Sequence, residues 1–355
     1  MYFTHPQFKI FDLKPIFCRF FENDLNNKLK EIFPGYNILY TDSGRSAFQI
    51  AIENLKLENS EMIIPAYICD IFNPILKKYN IKAIYADINL KTFQPDISEI
   101  EKKITPEIKS ILACHTYGLP VSLDKITEIA KKHNLKIIED CAHTCPPLAG
   151  SPDKISGDCA FFSFAKICPN INGGMLISKF PIKTELPKCK FKLSNIVKFL
   201  RLYPELAGIS ENFRKEKSVQ NEISNPCQAS RLSLKLFNYY LKTYKEQLPK
   251  RIRLAKYFQN KLKNLGFATQ NDKSNNFTYL SALVPENIKR DELFEKLRNY
   301  GIFCSRIWQK PIYPELPNTN KVAERIINFP LQSWYTEKDI DKIIKNLQSI
   351  LLKAK

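Results

Sequence analysis

The 355-residue sequence has no apolar run approaching a membrane-spanning length, no CxxC pair, no internal repeat, no low-complexity tract and no basic tail. The first absence excludes a transmembrane helix, which needs about 20 consecutive apolar residues. The missing repeat excludes solenoids and propellers. The opening stretch Met1-Tyr-Phe-Thr-His-Pro-Gln-Phe-Lys9 lacks the basic-then-apolar order of a secretory signal, and Asp12, Glu22 and Asp24 follow it, unlike most transit peptides. The expectation is a cytoplasmic protein with no membrane insertion. Its ten cysteines are scattered and many lie in apolar, strand-like runs, which predicts reduced core thiols. Cys141, His143 and Cys145 stand close together, but without a second, distant pair they make a poor tetrahedral zinc set, so no metal is expected.

What is abundant is positive charge, a formal +18 at pH 7. The lysines are spread over helix-like segments such as Lys131-Lys132, Lys188 to Lys192 and Lys242 to Lys256 rather than gathered in one patch. That distribution argues against nucleic acid as the partner and for attraction of an anionic substrate. A hydrophobic content of 44% at this length supports one large core and a smaller second one.

After an N-terminal arm read as helical (1–40), strand-like and helix-like segments alternate. Tyr36 to Tyr40, Glu61 to Ile64, Ile81 to Asp87, Ser110 to His115 and Leu135 to Asp140 read as strands. Ala47 to Leu55, Phe72 to Tyr79, Ile97 to Ile104 and Leu123 to His133 read as helices. Strands alternating with crossover helices predict an α/β fold whose large domain (41–250) is a mainly parallel sheet covered on both faces. Ligands gather at the carboxyl ends of such strands. Asp158 to Phe164 and Gly174 to Ser178 form a further, hairpin-like pair linked through Asn172-Gly173-Gly174. Pro181 to Asn225 has a blurred pattern, and Cys227 to Leu265 reads as one long helix. It leads into a smaller C-terminal α+β domain (251–355) with strands at Phe277 to Val284 and Ile302 to Ile307 and helices at Arg290 to Tyr300 and Thr336 to Leu352.

Lys166 is placed between the two strands of the hairpin-like unit, behind an apolar strand that carries Asp140 and is followed by His143. A buried lysine amine can hold pyridoxal phosphate as a Schiff base when a carboxylate protonates the pyridine nitrogen and donors hold the phosphate. The carboxylate is available in Asp140, costly to bury without a cation. Donors are available at Ser43-Gly44-Arg45-Ser46, where a strand-to-helix junction provides free N–H groups and a helix dipole.

Several motifs in fixed order carry a family resemblance. They are Ser43-Gly-Arg-Ser-Ala47, Ile64-Pro-Ala-Tyr67, His115-Thr-Tyr-Gly118, Ile137-Ile-Glu-Asp-Cys-Ala-His143, Gly157-Asp158, Phe162-Ser-Phe164 with Lys166, Gly173-Gly174, and the tail Ile327-Asn-Phe-Pro-Leu331 followed by Tyr335-Thr-Glu-Lys-Asp-Ile-Asp341. From Tyr40 onward the chain resembles the DegT/StrS-type sugar aminotransferases. The resemblance implies a pyridoxal-phosphate enzyme of fold type I, typically a homodimer. Such an enzyme moves an amino group from glutamate onto a nucleotide-linked keto sugar for polysaccharide or surface-glycan biosynthesis.

Carried over by position, the resemblance makes Lys166 the catalytic lysine and Asp140 the partner of the pyridine nitrogen. It puts His143 near the cofactor's phenolic oxygen. Arg45 and Ser46, after Gly44, face the phosphate, and the Ser163 hydroxyl completes the cradle. Tyr67 or Cys69 falls where an aromatic ring stacks on the pyridine in the family, Cys69 being nearest by position. Asn221, Asn225 and Arg231, in the segment from Lys215 to Arg231, fall where members send a polar side chain to the partner subunit's phosphate. One departure is the compact Ser163-Phe-Ala-Lys166 spacing, where many members have a longer spacer. Two other functions stay open: a sugar dehydratase on the same fold, whose relatives carry histidine at the lysine position, and a cofactor-free polyanion-binding protein.

Overall fold

The computed structural model describes residues 1–9, 12–146, 155–190, 193–211, 223–270 and 276–353, and the side chains of 208–211 are outside that description. The arm read as helical opens instead with a short strand, β1 (Tyr2–Phe3), before helices α1 (Lys14–Phe17) and α2 (Glu22–Ile32). Then the alternation begins: β2 (Asn37–Thr41), α3 (Gly44–Leu55), β3 (Glu61–Pro65), α4 (Phe72–Lys78), β4 (Lys82–Ala86), α5 (Ile97–Lys102), β5 (Ile108–Cys114), α6 (Leu123–His133) and β6 (Lys136–Asp140). β7 (Cys159–Ser163), the four-residue helix α7 (Phe164–Ile167) and β8 (Gly174–Ser178) complete the sheet.

Its seven strands lie in the order β2-β8-β7-β6-β5-β3-β4. β4, β3, β5, β6 and β7 are mutually parallel, whereas β8 is antiparallel to both β7 and β2. The central strands are apolar on both faces because helices cover both. Leu112, Ile138, Phe161 and Leu176 join α3 and α4 in one cluster, while Ile111, Ala113 and Ile137 join α5 and α6 in another. α6 shows how the sequence sets these bounds. Ile126, Ile129 and Ala130 recur on its inner face, and Asn134 ends it in the left-handed conformation that asparagine tolerates (φ 53°).

Beyond the sheet come α8 (Ser194–Leu200) and α9 (Pro204–Glu211), then the 34-residue α10 (Arg231–Asn264), capped by Ser230 rather than starting near Cys227. Pro249 divides its contacts. Leu234, Phe237, Tyr240 and Tyr244 pack with the large sheet's cluster, whereas Leu254, Phe258 and Leu262 pack into the C-terminal core. The expected boundary at 250/251 therefore falls inside one helix. The C-terminal unit adds β9 (Ala268–Thr269), β10 (Leu280–Leu283), α11 (Arg290–Asn299), β11 (Ile302–Phe303), α12 (Pro317–Arg325), β12 (Ile326–Phe329) and α13 (Glu337–Leu352). β12, β10 and β9 form an antiparallel sheet. The strand expected over Ile302 to Ile307 shrinks to β11 and pairs not with β10 but with β1, in parallel.

The cysteine expectation needs one correction. Eight cysteines are free, and six of those are buried, but Cys189 and Cys227 are joined as a disulfide with their Cα atoms 5.3 Å apart. They stand 38 residues apart, so no local spacing announces the pair. In the chain-entropy account a cross-link closing a loop of this size contributes about 4 kcal/mol. Reduction by a dithiol is expected to lower the calorimetric Tm by several degrees, and a Cys189→Ser/Cys227→Ser double variant should show no such response. An equal response in that variant would place the effect elsewhere.

Candidate functional site

The ends of β2, β6 and β7 and the start of β8 converge on one place. At the β2–α3 junction Ser43, in extended backbone (φ −163°), caps α3 by accepting the Ser46 N–H at 3.2 Å. The junction leans on the end of β7, since a Cβ added at Gly44 would stand 3.2 Å from both the Ser163 Cβ and the Phe162 carbonyl oxygen. At Gly174 a Cβ would lie 2.6 Å from the Gly44 nitrogen, the Ser43 carbonyl carbon and the Phe162 oxygen, so only glycine lets the three segments close up. Gly173 adopts φ +98° beside it, the linker role read from the sequence.

Arg45 projects as an exposed side chain with no hydrogen bond or ion pair among the described residues, at the positive end of the α3 dipole. Ser163 caps nothing in α7, so its hydroxyl stays available next to Gly44. Ser46 departs from its expected role: it is buried, and its single hydroxyl proton goes to Asp42 Oδ1 at 2.6 Å. Asp42 lies just before α3, outside the Ser-Gly-Arg-Ser motif.

Lys166 lies on α7, a short helix between β7 and β8, and is half-buried. Its charge is felt by four groups. Asp140, at the end of β6 and 5% exposed, is pushed up by burial, a shift opposed by Lys166. Its Oδ1 accepts the Ala142 N–H at 2.9 Å, and the Cys114 Sγ lies 3.8 Å from Oδ2. Burial pushes the Cys114 and Cys69 thiols up as well, against Lys166. His143 is held well below the usual imidazole range, by burial first and by Lys166 second. Lys166 is therefore within electrostatic reach of Asp140, His143, Cys69 and Cys114, and Cys114 touches Asp140.

The tautomer of His143 follows from its neighbours. Nδ1 accepts the Tyr117 backbone N–H at 3.3 Å, which puts the proton of the neutral ring on Nε2. That Nε2 is buried and has no hydrogen-bond partner among the described residues. The ring is walled by three aromatic side chains that the sequence did not single out: Tyr117, Trp308 and Tyr279. The motif around Tyr117 was visible, but its backbone role was not, and Trp308 arrives from the C-terminal unit with no periodic signal.

Of the remaining candidates, Tyr67 is fully buried, with its hydroxyl 2.7 Å from that of Tyr117 and 3.3 Å from the Ile307 carbonyl. The charge that bears on it is that of Arg290, whereas Cys69 responds to Lys166 and Asp140. Of the two candidates for the stacking position, Cys69 is the one that feels Lys166 and Asp140, while Tyr67 adjoins the site through Tyr117. Asn225 is exposed, and Asn221 lies outside the described residues. Arg231 reaches the Phe20 carbonyl at 3.5 Å and lies over the Phe20 ring, within its own chain. His115, Glu139 and Cys141 bring their ligand atoms within 4.8 Å of one another. The two His115 ring nitrogens are already used, by Glu139 and the Val121 N–H, and Glu139 also accepts from Ser156 and Gly157. The trio ties β5 and β6 to the turn before β7.

The family model of the DegT/DnrJ/EryC1/StrS aminotransferases matches residues 19–348. A dTDP-4-amino-4,6-dideoxy-D-glucose transaminase of Shigella dysenteriae is 24% identical over 348 residues, covering 92% of this chain and 89% of its own. A GDP-perosamine synthase of Escherichia coli O157:H7 is 27% identical over 305 residues, 81% of this chain and 78% of its own. Among solved structures, the E. coli GDP-4-keto-6-deoxy-D-mannose-3-dehydratase with bound hydrated PLP superposes with a TM-score of 0.72 at 18% identity, covering 98% of this chain and 99% of that one. At that identity the likeness shows the fold.

Proposed function

The chain belongs to the DegT/DnrJ/EryC1/StrS aminotransferase family, and from that premise we propose that it is a pyridoxal-phosphate-dependent aminotransferase for a nucleotide-activated keto sugar, with Lys166 as its catalytic lysine. One observation supports the reading most: the buried His143 Nε2–H has no acceptor among the described residues, within electrostatic reach of Lys166, which also acts on Asp140. An unpaired buried donor is costly, and a cofactor's phenolic oxygen would satisfy it. Asp140 likewise is a buried acid that a ring N–H⁺ would pair. Arg45, the start of α3 and the Ser163 hydroxyl supply donors for a phosphate, while Ser46 contributes packing through Asp42. Cys69, which feels the charges of Lys166 and Asp140, is the candidate for the face where family members carry an aromatic ring.

When bound, pyridoxal phosphate supplies an electron sink conjugated with the amino nitrogen. The residues do the rest. Lys166 Nζ would take the proton from the donor's α-carbon in the first half-reaction and, in the second, deliver a proton to the sugar carbon that receives the nitrogen. Asp140 keeps the ring nitrogen protonated, His143 donates from Nε2, and the aromatic wall of Tyr117, Tyr279 and Trp308 excludes water from that side. Glutamate as amino donor, a place in polysaccharide synthesis, a homodimer and a cytoplasmic location complete the proposal. The relatives' nucleotide-sugar substrates and the exposed, unpaired Arg45 support it. The dehydratase reading has the fold in its favour but calls for histidine where this chain has Lys166.

Borohydride reduction of the purified chain with pyridoxal phosphate, followed by peptide mass spectrometry, is expected to find the adduct on Lys166. An adduct on another lysine, or none, would overturn the assignment.

A further inference from the structure

We infer that Trp308 is a positioning residue for His143: the C-terminal unit, by docking this indole, fixes the ring that presents the Nε2–H to the cofactor. The inference rests on the functional reading above and adds a residue that the reading does not require.

The Trp308 indole lies 4.9 Å from the His143 ring with 26° between planes, and 5.2 Å from Tyr117 with 22° between planes. Tyr117 itself lies 5.6 Å from His143 and nearly parallel to it, while Tyr279 meets the imidazole edge-on at 5.0 Å. The imidazole is thus bounded by three rings, and its Nδ1 is held by the Tyr117 N–H. Turning the ring about Cβ–Cγ would break that bond and drive Nδ1 or Nε2 into an aromatic face, so the direction of Nε2–H depends on the walls.

The backbone shows how firmly Trp308 is placed. Trp308 has φ 61° and Tyr117 φ 59°, the left-handed region that bulky residues avoid unless their surroundings over-determine them. The surroundings do so. The Ile307 N–H donates to Asn328 Oδ1 at 2.8 Å, and the Ile307 carbonyl accepts the hydroxyls of Tyr117 at 2.7 Å and Tyr67 at 3.3 Å. Asn328 is in turn bridged to Ser305 by two backbone hydrogen bonds and donates to Ser281 Oγ at 2.8 Å. The segment before Trp308 is therefore clamped between β12 of the C-terminal unit and two tyrosines of the large domain. Tyr67 takes part in this clamp through its hydroxyl.

The test follows the cofactor's visible absorption with pH in Trp308→Leu, Trp308→Phe and wild type, with borohydride mapping in each. A donor on the phenolic oxygen draws its charge away from the nitrogen beside it. Losing the donor makes that nitrogen a stronger base, so in Trp308→Leu the titration midpoint should rise by about one pH unit, the scale of one hydrogen bond to a charged group, with the adduct still on Lys166. Trp308→Phe, which keeps a planar wall, should titrate near wild type. In a His143→Ala background the Leu substitution should cause no further shift. A wild-type midpoint in Trp308→Leu, or an undiminished shift without His143, overturns the inference. If Trp308→Leu does not fold, Trp308→Met carries the same expectation. Absence of any Lys166 adduct in the wild type would instead bring down the functional reading, and this inference with it.

Discussion

Lys166→Ala is expected to lower amino transfer by at least about 10⁴-fold, the upper end of what a single positioned acid–base group contributes, because the same side chain also carries the cofactor. The fold should survive. Lys166 is half-buried on a four-residue helix, and deleting a side chain of this kind, away from core packing, changes stability by about 0.5 kcal/mol or less. Two measurements separate the possibilities: transfer of nitrogen from glutamate to a dTDP- or GDP-linked 4-keto sugar, and calorimetric Tm. Loss of activity with an unchanged Tm supports the assignment. Retained activity would end it, whatever the Tm.

Asp140→Asn should split binding from stability. With cofactor, the amide cannot hold a ring proton, and breaking a buried ion pair costs about 3–5 kcal/mol, which corresponds to roughly 10²- to 4 × 10³-fold in rate or cofactor affinity. Without cofactor the sign reverses. Burial raises the Asp140 carboxyl above its ordinary value, more than Lys166 lowers it. The acid therefore binds its proton more readily folded than unfolded. Stability is lost as pH rises from the unfolded value, about 3.9, through the folded one, and the full penalty applies above that. An uncharged amide escapes it. The apo variant should melt higher than apo wild type at pH 7, with the difference shrinking toward pH 4. A variant less stable than wild type at pH 7 would mean that the carboxylate is already paid for by its neighbours.

How much of this was legible in the sequence depends on the range of the forces involved. α6 over Leu123–His133 and β8 over Gly174–Ser178 have the bounds read from periodicity, since the apolar spacing and the end-stops are local. α3 begins at Gly44 rather than Ala47 because Ser43 caps it, a signal present but read too late. Lys166 acts electrostatically on Asp140, His143 and Cys69 because strand ends in a parallel sheet share one edge. Other features had no local signature. The direction of the Ser46 hydroxyl depends on Asp42, the Cys189–Cys227 closure on a 38-residue loop, and the Tyr117–Trp308 wall on the docking of a distant segment. β11 lost most of its expected length because its partner is not its neighbour in sequence but β1.

That last pairing bears on how the chain is made. Tyr2 lies against Ile302 and Phe3 against Phe303, and Gln332 donates to the carbonyls of Phe3 and His5. About 300 residues must leave the ribosome between the two strands, roughly 15–60 s at about 5–20 residues per second. Throughout that interval the aromatic face of Phe3 has no Phe303 to stack on. Changes at buried positions of this segment, such as Phe3 and Phe8, should be felt in nascent-chain handling as well as in final stability.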